Sequence, residues 1–211
     1  MLDDIELYLP KYLSPGSEDN LFAELEHFPK NVDDRFYIEV NRSDELIYQG
    51  DGLTDLLLFS LPDTKSERGR AIVLSNTCDI SPSNIRLYPS RFCYAPILNV
   101  RKFIEALRKK FPNGDERIGN FEASLRRQSI SSAFFLPKGA NLDEDSLVFF
   151  DRIISIANRK DFYQGVGRRR LFTLSNYGYY ILLIKLSIHF CRMADSVDRG
   201  LPGFERGTIF E

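Results

Sequence analysis

Between residues 36 and 98 the chain passes through four short apolar segments: Phe36 to Val40, Leu53 to Leu61, Arg70 to Asn76 and Arg91 to Leu98. Turn-forming residues separate them, most plainly Gln49-Gly-Asp-Gly52. Short runs rich in aliphatic and aromatic side chains, bounded in this way, predict an antiparallel β core. Leu56-Leu-Leu-Phe59 and Ala71-Ile-Val-Leu74 are continuously apolar rather than alternating, the pattern of strands covered on both faces.

Helical spacing takes over after this stretch. Val100, Phe103, Ile104, Leu107 and Phe111 recur at i, i+3, i+4, i+7 and i+11, which predicts a helix from Asn99 to Phe111, stopped by Pro112. Its other face carries Arg101, Lys102, Arg108, Lys109 and Lys110, with Glu105 as the lone acid. A second, shorter helix holds Ile118, Phe121 and Leu125 and ends near Arg127. Ala133 to Leu136 and Ser146 to Ile156 read as two more strands, joined by the loop Pro137 to Asp145. Ser175 is the expected N-cap of a last helix to about Met193. That helix has two apolar stripes, one through Tyr177, Tyr180, Ile181, Ile184 and Ile188, the other through Tyr179, Leu182, Leu183, Leu186, Phe190 and Met193. A surface helix needs one stripe, so this one is either sandwiched inside the monomer or shared with a second copy in a homodimer.

Composition narrows the class. With 43% hydrophobic and 27% charged residues in 211, the chain can bury a sizeable core, which excludes a disordered or low-complexity body. The expected organisation is an acidic N-terminal arm (1–35, with one short helix from Ser17), a barrel domain with a C-terminal helix (36–195) and a tail (196–211). Neither a signal peptide nor a bilayer-length apolar run is visible, so the expected location is cytoplasmic. Three widely spaced cysteines, Cys78, Cys93 and Cys191, form neither a disulfide framework nor a CxxC metal pair and read as buried small hydrophobes; no metal and no cofactor is expected. The net charge of -2 hides a split. Residues 1–60 hold 14 acids against 4 bases, and residues 61–211 hold 16 acids against 24 bases.

Tyr48-Gln-Gly-Asp51, the strand end Leu61-Pro62-Asp63, Glu67-Arg-Gly-Arg70 and Ala71-Ile-Val-Leu-Ser75-Asn76 together resemble the opening of the MazF/PemK type of small SH3-like barrel. The continuation Asn76-Thr-Cys78-Asp79 is more similar to a less characterised bacterial group with a Gln-Gly-Asp start, a Ser-x-Thr-Cys-Asp strand end and a longer C-terminal half. Phe135-Leu-Pro137, Leu174-Ser175 and Phe190-Cys-Arg192 match that half. The resemblance implies an α+β fold round a small antiparallel SH3-like barrel with peripheral helices and a long C-terminal helix. It further implies a toxin-like or phage-defence-associated protein acting on RNA, with an antitoxin-like partner protein. For true MazF/PemK members the activity is metal-independent RNA cleavage. Such cleavage needs a base, an acid and a cation for the phosphorane. Arg70 matches the family's arginine, and Asp79 and Ser75 stand at the strand end where the groove opens. The plainer reading of Ser75 and Asp79 is that they tie down a turn. The family's second catalytic hydroxyl has no counterpart in Arg91-Phe-Cys93-Tyr94-Ala-Pro96, which favours the alternative of a non-catalytic protein-interaction module on the same barrel. Cys78 reads as a packing residue rather than a nucleophile, because no base adjoins it in sequence.

Arg168-Arg169-Arg170, following Gly165-Val-Gly167, is either a phosphate-gripping loop or a solvated charge run before a strand. With the Arg101 to Lys110 face and Arg126-Arg127 it makes three basic clusters, expected to form one RNA-binding surface if the fold unites them. The acidic arm is then expected to lie over that surface or compete for it.

Overall fold

A computed structural model of the chain describes residues 15–39, 45–60, 62 and 65–191. Residues 1–14 of the expected arm, the tail 196–211, and the expected segment ends at Val40, Leu61 and Met193 lie outside the described residues.

The fold is α+β. Its strands are β1 (Tyr37–Ile38), β2 (Gly52–Ser60), β3 (Lys65–Val73), β4 (Arg91–Asn99), β5 (Ala133–Leu136), β6 (Ser146–Phe149), β7 (Ile154–Ala157) and β8 (Arg170–Leu174). They form one antiparallel sheet in the order β1-β8-β2-β3-β4-β6-β5, with β7 against β4. The path is open among the described residues, ending on β1 and β5 rather than closing into a barrel. The helices are α1 (Pro15–Leu25), α2 (Thr77–Ile80), α3 (Val100–Lys110), α4 (Asp115–Arg126), α5 (Val166–Arg169) and α6 (Asn176–Cys191). None of the described helices is long and apolar enough to cross a membrane.

β4 organises the sheet because it changes partners along its length. Tyr94 to Pro96 pair with β3 on one edge; on the other, Arg91 to Tyr94 pair with β7 and Ile97 to Asn99 with β6. Pro96, which has no N–H to donate, sits where β4 leaves β3. The expected single strand from Ser146 to Ile156 is therefore two. A turn at 149–152, closed by the Arg152 N–H on the Phe149 carbonyl at 3.2 Å, breaks it and drives Phe150 into the core against Phe134.

Three apolar clusters hold the layers. One lies between the sheet and helices α1 and α6, with Leu21, Phe36, Ile72, Phe134, Phe172 and Ile181. A second covers the other face of β2, β3 and β4 through Leu53, Leu56, Ala71, Val73, Phe92 and Tyr94. A third sits under α3 and α4. Ala71 and Val73 face the second cluster and Ile72 the first, so the expected two-sided burial holds in β3. In β2 it fails at Leu57, which is exposed, because the β2–β3 hairpin projects beyond the core with Lys65 to Arg68 in solvent.

Asn99 caps α3 by accepting from the Lys102 N–H at 2.9 Å, and the helix starts and stops as its spacing predicts. α4 has 12 residues against 11 in α3, so it is not the shorter of the two. Ser175 caps α6: its hydroxyl oxygen accepts from the Gly178 N–H at 3.2 Å. Glycine is required at 178, since a Cβ there would lie 2.5 Å from the Phe36 carbonyl oxygen.

Candidate functional site

The two motifs behind the resemblance meet in space and hold each other. The Gln49 N–H donates to the Thr77 hydroxyl at 2.9 Å, and the Gln49 amide donates to the Leu74 carbonyl at 2.8 Å and accepts from Tyr179 at 3.0 Å. Asp51 is fully buried. It accepts from the Thr173 hydroxyl at 2.6 Å, the Tyr48 N–H at 3.0 Å and the Arg170 Nε at 3.1 Å. Burial pushes the Asp51 carboxyl above its ordinary range, against the downward pull of Thr173, Tyr48 and Arg170. Arg170 also donates to the Leu46 carbonyl and lies 5.9 Å from the Tyr48 ring centroid. A pocket of about 350 Å³ opens beside this network, lined by Tyr48, Gln49, Thr77, Asn176 and Tyr179. The Gln49, Thr77 and Tyr179 side chains in its wall already bond one another or backbone, an arrangement that fixes shape rather than moving protons.

The three candidate catalytic residues do not converge. Arg70 is half-buried in β3 opposite the bulge at Thr54 and Asp55, whereas Ser75 lies in a bend beyond the end of that strand at Val73. The Ser75 hydroxyl oxygen accepts from the Cys93 N–H at 2.8 Å and donates to the Arg91 carbonyl at 3.3 Å, stitching the end of β3 to β4. Asp79 is exposed in α2 and ion-paired with Arg86. α2 itself is set by Asn76, whose side chain accepts from the Cys78 N–H at 2.9 Å.

Two of the three basic clusters come together and the third does not. Arg101, Arg108 and Arg126 line one groove of about 590 Å³ with Lys138, but Glu105, Glu122, Asp143, Glu144 and Asp145 line it too. Arg101 pairs with Glu144 at 2.7 Å, Arg108 with Asp115 at 3.7 Å, and Arg126 with Glu122 and Asp145. The Asn99 amide, with Arg101, holds the Glu144 carboxyl below the usual range. Lys102 and Lys109 are exposed on α3. Of the arginine triplet, Arg168 is exposed, Arg169 donates to the Phe162 carbonyl, and Arg170 is the buried partner of Asp51. Sequence reasoning passes over Arg91 at the start of β4, Arg86 in the loop before it, and Arg159 and Lys160 just after β7, which pairs with that end of β4. Their signal is weak because they are scattered singly through loops.

Cys78 and Cys191 are exposed and only Cys93 is partly buried, which corrects the expectation of three packed thiols. Among the described residues no group of three His, Cys, Asp or Glu is placed to hold a metal ion. Along α6, Tyr177, Tyr180, Ile181 and Leu182 are buried inside the monomer, whereas Ile184, Ile188, Phe190 and Cys191 are exposed, so neither expected stripe is covered along its whole length. Comparison of the chain with family models and with curated proteins finds no match.

Proposed function

We propose that this chain is an RNA-binding protein of the toxin-like or phage-defence-associated kind, built on a MazF/PemK-like variant of the SH3-like sheet. In this reading it holds RNA rather than cutting it through Arg70, Ser75 and Asp79. The observation that carries the reading is the Ser75 hydroxyl, engaged by two backbone groups of β4 and so withheld from a phosphodiester. A proton-transfer group must lie within hydrogen-bond reach of the atom it serves. RNA as ligand is supported by the excess of 24 bases over 16 acids in residues 61–211. It is supported as well by Arg91, Lys160, Arg168 and Arg169, none of which makes an ion pair among the described residues.

The test is a mobility-shift and integrity assay on mixed single-stranded RNA, with and without chelator, using the full chain and Arg70→Ala. Expected are a salt-sensitive shift and intact RNA in both proteins. Cleavage lost in Arg70→Ala would establish an endoribonuclease instead. Absence of any shift would leave the protein-interaction module. That second reading is favoured by one observation, the exposure of Ile184 and Ile188 one turn apart on α6, which suits a homodimer or a protein partner and is checked by sedimentation.

A further inference from the structure

We infer that the loop of residues 81–89, with the turn at 158–161 beside it, seats single-stranded RNA by stacking a base on Tyr88 and gripping phosphates with the cations around it. The inference rests on the reading above that the chain binds RNA, and it locates that binding away from α3.

The loop is long and exposed, yet its ends are fixed. A single side chain, Asn158, donates from Nδ2 to the Ile80 carbonyl at 3.0 Å and to the Ser90 hydroxyl at 2.9 Å, clipping together the residues that open and close it. The Asn158 N–H donates to the Ser90 carbonyl at 3.3 Å, and the frame is completed by Tyr163, whose hydroxyl donates to the Ile80 carbonyl. On this frame Ile85 is 96% exposed, Leu87 fully exposed and Tyr88 71% exposed. Three large apolar side chains held outward from a pinned loop mark a contact surface rather than a packing accident.

Cations stand on the loop and on the elements that frame it. Arg86 is in the loop. Arg91 follows it at the start of β4, its guanidinium fixed by donation to the Ser155 carbonyl at 2.7 Å. Arg159 and Lys160 follow Asn158 directly, and Arg169 reaches the same turn through its bond to the Phe162 carbonyl, bringing Arg168 with it in sequence. The acids in this group are Asp79, paired with Arg86, and Asp161, paired with Arg159 at 3.1 Å. Both pairs are solvent-exposed, the kind that contributes little and that a phosphate can displace. An anionic backbone carrying flat apolar faces fits a loop that presents an exposed ring and two aliphatic side chains and carries cations on itself and on the elements that frame it; a duplex, whose bases are already stacked, does not. α3 is the weaker seat. It begins where β4 ends, about 26 Å along the strand from Arg91, and the groove beside it is lined by five carboxylates, Glu105, Glu122, Asp143, Glu144 and Asp145.

The chain has no tryptophan, so Tyr88→Trp in the full-length protein places its one tryptophan, excited selectively over the tyrosines, at the proposed stacking position. Binding itself is read by anisotropy of a short fluorescein-labelled mixed-sequence RNA, single-stranded or duplex. The expected results are quenching of the introduced tryptophan by the single strand and not by the duplex, and about tenfold weaker binding for Tyr88→Ala with Tyr88→Phe retaining affinity. Tyr88→Ala should leave the salt slope unchanged, whereas Arg159→Glu combined with Lys160→Glu should lower it by roughly 0.7 for each phosphate no longer neutralised. Because these side chains are exposed, matching thermal unfolding of all variants is the control for folding.

Wild-type protein that gives no anisotropy change at low salt overturns the RNA reading as a whole. Wild-type protein that binds RNA, while the tryptophan emission and the Tyr88→Ala affinity stay unmoved, overturns the location alone. Loss of affinity in Arg101→Glu instead would move the seat to α3. Quenching by phosphatidylserine vesicles but not by RNA would make the loop a membrane contact and equally overturn the inference.

Discussion

Lys185 offers a sharp energetic test of the core. It lies in the middle of α6, is 4% exposed, and its Nζ donates to the carbonyls of Gln128 at 2.6 Å and Ile130 at 2.8 Å. Burial pulls its ammonium down from the ordinary 10.5 to about 8. Above about pH 8 the folded protein therefore releases a proton that the unfolded chain keeps until about pH 10.5. In that window the unfolded state binds more protons, so Lys185 makes stability rise with pH. A difference of about 2.5 pH units, at about 1.4 kcal/mol each, corresponds to about 3 kcal/mol across the window. Tyr37 and Tyr177, both pushed up by burial, act in the opposite direction at higher pH because the unfolded chain loses their protons first. The comparison that isolates Lys185 is the stability of the wild type minus that of Lys185→Met, from urea unfolding followed by circular dichroism between about pH 7 and about pH 10. The difference should grow by roughly 2 to 3 kcal/mol with rising pH, at about 1.4 kcal/mol per unit. Parallel curves would show that the amine is neither desolvated nor shifted, and the account of this helix contact would be wrong.

Asp51→Ala leaves the Arg170 guanidinium buried without its counter-charge and should cost about 3 to 5 kcal/mol, read as a fall in urea midpoint. Gly178→Ala forces a methyl to 2.5 Å from the Phe36 carbonyl oxygen; a loss of about 1 to 3 kcal/mol is expected, whereas Gly119→Ala, with open space around it, should be neutral or stabilising. Removing residues 1–14, and no more, tests whether the acidic N-terminus screens the basic body, since Leu21, Leu25 and Phe28 of the following segment are part of the core. RNA affinity should rise at low salt, and an affinity equal to that of the full chain disposes of the mask.

Signals in the sequence are legible where the structure uses local physics. The spacing of Val100, Ile104 and Leu107, and the caps Asn99 and Ser175, need only their own helices to act. What sequence does not expose depends on distant partners. Arg170 looks like one of three equivalent arginines until it meets Asp51, 119 residues away. Ser75 looks like a strand-end hydroxyl facing a groove until β4 arrives to take both of its hydrogen bonds. The break between β6 and β7 follows from the turn and the burial of Phe150, which an unbroken apolar run does not announce. Ile85, Leu87 and Tyr88 are the hardest to place, because apolar residues are read as core by default and only the clip at Asn158 shows why these three stay out.

Gln128 sits in a left-handed conformation after α4, and its side chain does for β5 what a neighbouring strand would do. Its amide accepts from the Phe135 N–H at 3.0 Å and donates to the Phe135 carbonyl at 2.6 Å. Strand edges are where sheets of separate molecules join, through swapping or fibril growth. A single glutamine thus occupies the outward backbone groups of Phe135, and with the Ile130 carbonyl on the Ala133 N–H and α4 packed against the buried strand it leaves another chain no free edge to pair with at Ala133 or Phe135.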